Sequence, residues 1–348
     1  TAASGAGRRR EAGQGRAQGP EDEGRCVTYS RPWRSFEDQL ALLESRGMIV
    51  GDRAAALAYL ERVGYYRLSA YWYPFRRWEL RQDASSGAIS HIRTDTFLPD
   101  THFRDAVALY LFDKQLRLIT VDALERIEVA LRVDIAYLLG KRNTFAHLDT
   151  SALHPTFALR PERAHGTAHA AWLDRYAKLV GQSKEDFVKH YHQTHGPDLP
   201  IWVAVELLDF GALSKLFAMM KVSDQQAIAQ KYGIAEWQVF QSWLRSLSYL
   251  RNLCAHHSRL WNRNVVARPK LPSASHPGWW QVFAGTPDLQ TKPFLLLAIC
   301  RHVVQRVCPN TQWHARLKDH LATFPTLRAN TKRGLDDMGT PGDWRAWW

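Results

Sequence analysis

From Ala235 to Arg268 the chain runs 34 residues without a glycine or proline, and Pro269 then closes the stretch. Nothing inside it is a helix stop, so the sequence predicts one long helix there. Trp237, Phe240, Leu244, Leu247, Leu250 and Cys254 recur at spacings of three and four, which is one buried stripe. The same spacing draws a polar, increasingly basic line through Gln241, Arg245, Ser248, Asn252, His256, Arg259 and Arg263. A helix with only a packing task rarely ends in such a cluster.

Within this stretch Arg251 is followed five places later by His256. Five residues advance a helix by about 140°, so the two side chains diverge. A working pair is therefore more easily completed by a second copy of the helix or by a local break. The Arg-x4-His pattern resembles the HEPN ribonuclease motif, and residues 247–263 resemble its abortive-infection branch, the AbiD/AbiF-like proteins. Further blocks carry the likeness: Val63 to Leu68, Phe112 to Arg117 with Leu124 to Arg132, Glu206 to Leu216, and Met338 to Trp344. Together they cover roughly residues 33–348.

The resemblance implies an all-α, HEPN-type helical bundle and metal-independent cleavage of RNA, used in anti-phage defence as a toxin-like ribonuclease held in check. Products would be a 2′,3′-cyclic phosphate and a 5′-hydroxyl. Histidine titrates near neutral pH and guanidinium suits phosphate, so His256 is assigned proton transfer and Arg251 the phosphate. Asn252 would orient one of them or bind ribose. Arg245, His257, Arg259 and Arg263 are the expected RNA contacts, with His257 also a stand-in for His256. One motif per chain implies a homodimer with a composite site. Some relatives associate with a small noncoding RNA. The alternative is a non-catalytic RNA-binding protein in which Arg251 and His256 only grip RNA.

Composition agrees with a polyanionic partner. The 348 residues carry a formal charge of +12, with arginine outnumbering lysine. Cys26, Cys254, Cys300 and Cys308 are scattered, with no C-x-x-C pair, so neither a disulfide framework nor a cysteine-rich zinc site is expected. No cofactor or metal is expected, and a reducing cytoplasm is the simplest home. The longest apolar run, Phe294 to Cys300, is too short to span a bilayer.

Four regions are expected: a disordered basic tail over 1–31, an N-terminal helical and aromatic region over 32–100, the bundle over 101–325, and a C-terminal arm over 326–348. Asp52 should cap a helix ending at Val63. The aromatic run from Tyr65 to Trp78, interleaved with Arg67, Arg76 and Arg77, reads either as a core seam or as base-stacking surface. The core reading is preferred, because the spacing is irregular and Leu68 and Ala70 sit among the rings. Residues 81–101 read as a loop or short hairpin. A helix from His102 to Leu139 should bury Val107, Leu111, Leu118, Val121, Leu124, Ile127, Leu131, Ile135 and Leu138, with Gly140 ending it and Glu128 paired to Arg132 on its surface. Glu206 either orients the motif or faces solvent. A second Arg-x4-His match, Arg142 to His147, is read as coincidence. His190, His192 and His195 are read as an exposed cluster and not a metal site.

Overall fold

The fold is built on a helix of 40 residues, Phe103–Arg142, about 60 Å long. In this computed structural model the described residues are 32–348 apart from 83–86, 163, 165 and 330. The expected disordered tail lies outside them. Eleven helices of eight or more residues are present among the described residues, and the only strands form two small two-stranded sheets. The architecture is all-α. Residues 36–348 make one compact unit.

Before the long helix come α1 (Phe36–Ser45), α2 (Arg53–Val63) and α3 (Tyr65–Trp72). Asp52 caps α2 as expected, accepting from the Ala55 N–H at 2.9 Å. Strands β1 (Arg76–Gln82) and β2 (Ile89–Phe97) then form an antiparallel hairpin. The long helix is α4. After it come α5 (Ala168–Gln182), α6 (Asp186–His195), α7 (Phe210–Met219), α8 (Val222–Lys231), the motif helix α9 (Trp237–Ala255), α10 (Pro293–Val307) and α11 (Trp313–Ala322).

Helices α3, α9, α10 and α11 all pack on α4. Because it is covered from several directions, its apolar residues are not confined to one stripe. Leu124, Ile127, Leu131 and Ile135 are buried as expected, but Leu111, Leu118 and Val121 are exposed. They are joined in solvent by Val129, Val133 and Tyr137. Gly140 does not end α4. A Cβ there would lie 3.4 Å from Ile201 and Trp202, so glycine serves the close passage of that turn while the helix runs on to Arg142.

The aromatic run divides. Leu68, Tyr71, Trp72 and Phe75 are core, whereas Tyr66, Tyr73 and Trp78 are exposed. At the C-terminus Trp344, Trp347 and Trp348 close on Phe294, and Trp347 stacks on Trp279. No helix among the described residues is long and apolar enough to cross a membrane.

Candidate functional site

The motif helix does not run through to Arg268. It stops at Ala255, and His256 is the capping residue with φ −86° and ψ 13°. His257 follows in the left-handed region at φ 54°. The Ser258 N–H donates to the Leu253 carbonyl at 2.9 Å, and the His257 N–H to the Cys254 carbonyl at 3.1 Å. This pair of bonds is the Schellman ending, normally built with glycine at the left-handed position. Up to that point burial follows the apolar spacing: Phe240, Leu244, Leu247, Leu250 and Cys254 are buried, as their positions predict.

A buried carboxylate holds the chain beyond the turn. Asp113 of α4 is wholly buried and accepts from the Trp261 N–H at 2.6 Å, the Leu260 N–H at 3.1 Å and the Tyr71 hydroxyl at 2.7 Å. It also pairs with Arg117, which donates to the Ser258 carbonyl at 3.3 Å. Burial pushes the Tyr71 phenol far above its ordinary pKa, with the Asp113 charge adding to the effect. From α3, Arg67 donates to the His257 carbonyl at 2.8 Å, and Arg259 reaches back to the Ala70 carbonyl. Tertiary partners on α3 and α4 therefore claim backbone groups that a continuing helix would have used. That competition ends the helix where the sequence carries no stop.

One turn before the end, Arg251 lies 3.8 Å from Glu128 of α4, with its own side chain 37% exposed and that of Glu128 only 11%. Glu128 also accepts from Arg132 at 2.9 Å, and Arg132 lies 3.6 Å from Glu206 and donates to the Leu208 carbonyl at 3.0 Å. Burial raises the Glu128 pKa, Arg132 and Arg251 oppose the rise, and Asp209 adds to it. Asp209 caps α7 through the Ala212 N–H at 2.8 Å and pairs with Arg175. A Cβ on Gly211 would lie 3.3 Å from Asp209 and 3.5 Å from Ser248, so glycine lets this cap press on the motif helix.

The expected site residues thus fall into two groups. Arg245, Asn252, His256 and His257 are exposed, and Arg251 is half-buried. Arg259 and Arg263 are partly buried: Arg259 is engaged with Ala70, and Arg263 donates to the Tyr249 hydroxyl at 3.2 Å. Among the described residues no hydrogen bond or ion pair joins Arg251 to His256 and none holds the His256 imidazole.

The second Arg-x4-His match is of another kind. Arg142 forms a two-pronged pair with Asp224, at 2.7 Å on each prong. His147 is wholly buried, and burial pushes its pKa down to about 4, with His169 adding to the effect.

Sequence reasoning misses the two residues that matter most to the motif's support. In the sequence Asp113 is only one charge in a mixed block. Glu128 is assigned to Arg132 alone, a pairing that exists, but it also faces Arg251. Glu206 meets Arg132 and not the motif itself. Among the described residues no cluster of three or more His, Cys, Asp or Glu side chains is placed to hold a metal ion.

Compared with known proteins, residues 58–262 match the model of a family described as Abi-like protein. That span includes α3, the hairpin, α4 and the whole motif turn. No curated protein and no solved structure matches the chain.

Proposed function

The chain belongs to the Abi-like protein family, and from that premise we propose that it is an endoribonuclease of the HEPN type acting in abortive infection. The observation that carries this reading is the contrast at the motif turn. The backbone around it is tied by Asp113, Arg117 and Arg67, while His256 stands exposed at its tip. A tied turn presenting an exposed imidazole suits proton transfer, since a general acid or base must reach its substrate without first breaking a bond.

In the proposed reaction the ribose 2′-hydroxyl attacks the adjacent phosphorus and the 5′-oxygen leaves. His256 takes the hydroxyl proton or supplies one to the leaving oxygen. Arg251 neutralises charge building on the phosphate oxygens, with Glu128 at 3.8 Å steadying the guanidinium from behind. Asn252, exposed beside it, orients one of them or binds ribose. The proposed chemistry uses no metal.

One motif supplies one Arg and one His, so the composite site requires two copies related by a two-fold axis. An apolar surface adjoins the motif's support. Val129, Val133 and Tyr137 of α4 are exposed together with half-exposed Trp202, and Val133, Tyr137, Trp202 and Glu206 line one groove. Covering it with a second copy would bring two Glu206–Arg132–Glu128–Arg251 chains together near the dyad.

The rival reading is RNA binding without cleavage, including a standing association with a small noncoding RNA. Both readings require RNA affinity that falls steeply with salt. Variants separate them. In the nuclease, His256→Ala abolishes cleavage and leaves RNA affinity nearly intact, while Arg251→Ala abolishes cleavage and weakens binding. A parent protein that, freed of co-purifying RNA, binds RNA and never cuts it would return the chain to the binding class, and full cleavage by His256→Ala would remove His256 from the chemistry.

A further inference from the structure

Most strand residues of the β1–β2 hairpin are exposed, and several of them are large and apolar. Along β1 every residue after Arg76 is exposed. Register pairs Trp78 with Arg93, Leu80 with His91 and Gln82 with Ile89, so these six residues share one face. Trp78 is 54% exposed, and Leu80 and Ile89 are each 67% exposed. A ribbon serving only as a connection would carry threonine or lysine on such a face, because open apolar surface invites association.

The arrangement of the rings is specific. The Arg93 guanidinium lies 4.2 Å from the Trp78 ring centre and 5.0 Å from that of Tyr73. It is fixed there by bonds to the carbonyls of Tyr73 at 2.9 Å, Pro74 at 3.0 Å and Arg76 at 3.2 Å. One face of the indole is thus backed by a held cation, and the ring as a whole is half exposed. The two strands carry Arg76, Arg77, Arg81 and Arg93 against Glu79 and Asp95, and Asp95 is occupied by Arg46 and Arg76. The chain links the hairpin to the motif turn through one helix. Helix α3, whose Arg67 and Ala70 hold His257 and Arg259, leads through residues 73–75 directly into β1.

We propose that the Tyr73–Trp78–Arg93 face of the hairpin is a stacking platform for unpaired RNA bases, which it holds beside the motif turn. The proposal rests on the RNA reading above. Every unpaired base has a π-face to lay on Trp78, so the platform is tolerant of sequence. A duplex keeps its bases stacked on one another and offers no such face. The platform therefore selects single strands.

The test uses the full chain carrying His256→Ala, so that the probe is not cut, and fluorescence anisotropy with dye-labelled oligouridylate and oligoadenylate of about 20 nucleotides and a duplex RNA of equal length. Trp78→Ala should weaken binding of both unpaired probes on the order of tenfold and leave duplex binding unchanged. Trp78→Phe should recover most of the loss, because a smaller ring still stacks. Melting curves of the variants should coincide, since Trp78 is half in solvent. Unchanged affinity in Trp78→Ala overturns the platform, as does an equal loss on duplex. A change of oligomeric state in Trp78→Ala also overturns it, since the face would then be packing protein. If the parent protein binds neither RNA, the functional reading fails and the platform with it. If the parent binds and Trp78→Ala binds equally, the platform alone fails.

Discussion

Replacing Asp113 by asparagine tests the clamp that shapes the motif turn. Every group around the carboxylate is a donor to it: the Leu260 and Trp261 N–H groups, the Tyr71 hydroxyl and the Arg117 guanidinium. An amide keeps one acceptor oxygen and brings two N–H groups of its own. The Tyr71 hydroxyl can rotate to accept, but the two backbone N–H groups cannot. Arg117, only 5% exposed, is left as a buried cation without its counter-charge. Removing one partner of a buried ion pair costs about 3–5 kcal/mol, a large share of the roughly 5–15 kcal/mol that typically holds a domain together. Urea unfolding should show that loss as a lower midpoint, and amide exchange should show Leu260 and Trp261 losing protection first. The double change Asp113→Leu with Arg117→Met should recover the charge component, because apolar replacement of both partners is often neutral. It should not restore protection at the two amides. An Asp113→Asn protein that unfolds at the parent midpoint with Leu260 and Trp261 still protected would refute the clamp.

Three more outcomes follow from particular residues. His257→Gly should stabilise the protein by about 1 kcal/mol, seen as a higher melting temperature, because an L-residue at φ 54° carries strain that glycine does not. His147 has a folded-state pKa of about 4, below the ordinary 6.5, so the unfolded chain binds its proton more readily between those values. Its contribution is complete above about pH 6.5 and is lost as pH falls toward 4, reaching a loss of about 2 kcal/mol at about pH 5. His147→Phe should flatten that part of the acid-stability curve, leaving a similar term from His302, pushed down to about 3 by burial. Val133→Glu with Tyr137→Glu should turn a dimer into a monomer in light scattering and abolish cleavage without lowering the melting temperature; a fully dimeric, active variant would move the dyad elsewhere.

The sequence is most legible where one physical signal acts alone. The apolar spacing of the motif helix marks its buried side, and Asp52 before an alanine-rich run marks a cap that the structure contains. Legibility fails where tertiary bonds outweigh local preference. His257 is not a stop signal, yet the left-handed turn sits on it, because Asp113, Arg117 and Arg67 take the backbone groups that would continue the helix. On α4, neighbours on several sides spread the apolar residues around the helix. Spacing could not say that Leu124 is buried while Leu118 is open. Glu128 shows the limit of pairwise reasoning. Its i,i+4 partner Arg132 is visible in the sequence, but Arg251, far along the chain on another helix, is not. Arg251, Asn252 and His256 are readable as a candidate site only because their pattern resembles a known motif.

The central claim is that the exposed His256, acting with Arg251 in a composite site, cuts RNA by moving protons, and the chemistry of the cut ends tests it most directly. Protein freed of co-purifying RNA is incubated with a labelled RNA in EDTA, and the product termini are identified by mass spectrometry. The account predicts 2′,3′-cyclic phosphate and 5′-hydroxyl ends from the parent protein and intact RNA from His256→Ala. Ends carrying 5′-phosphate, or the same products from His256→Ala, would contradict it.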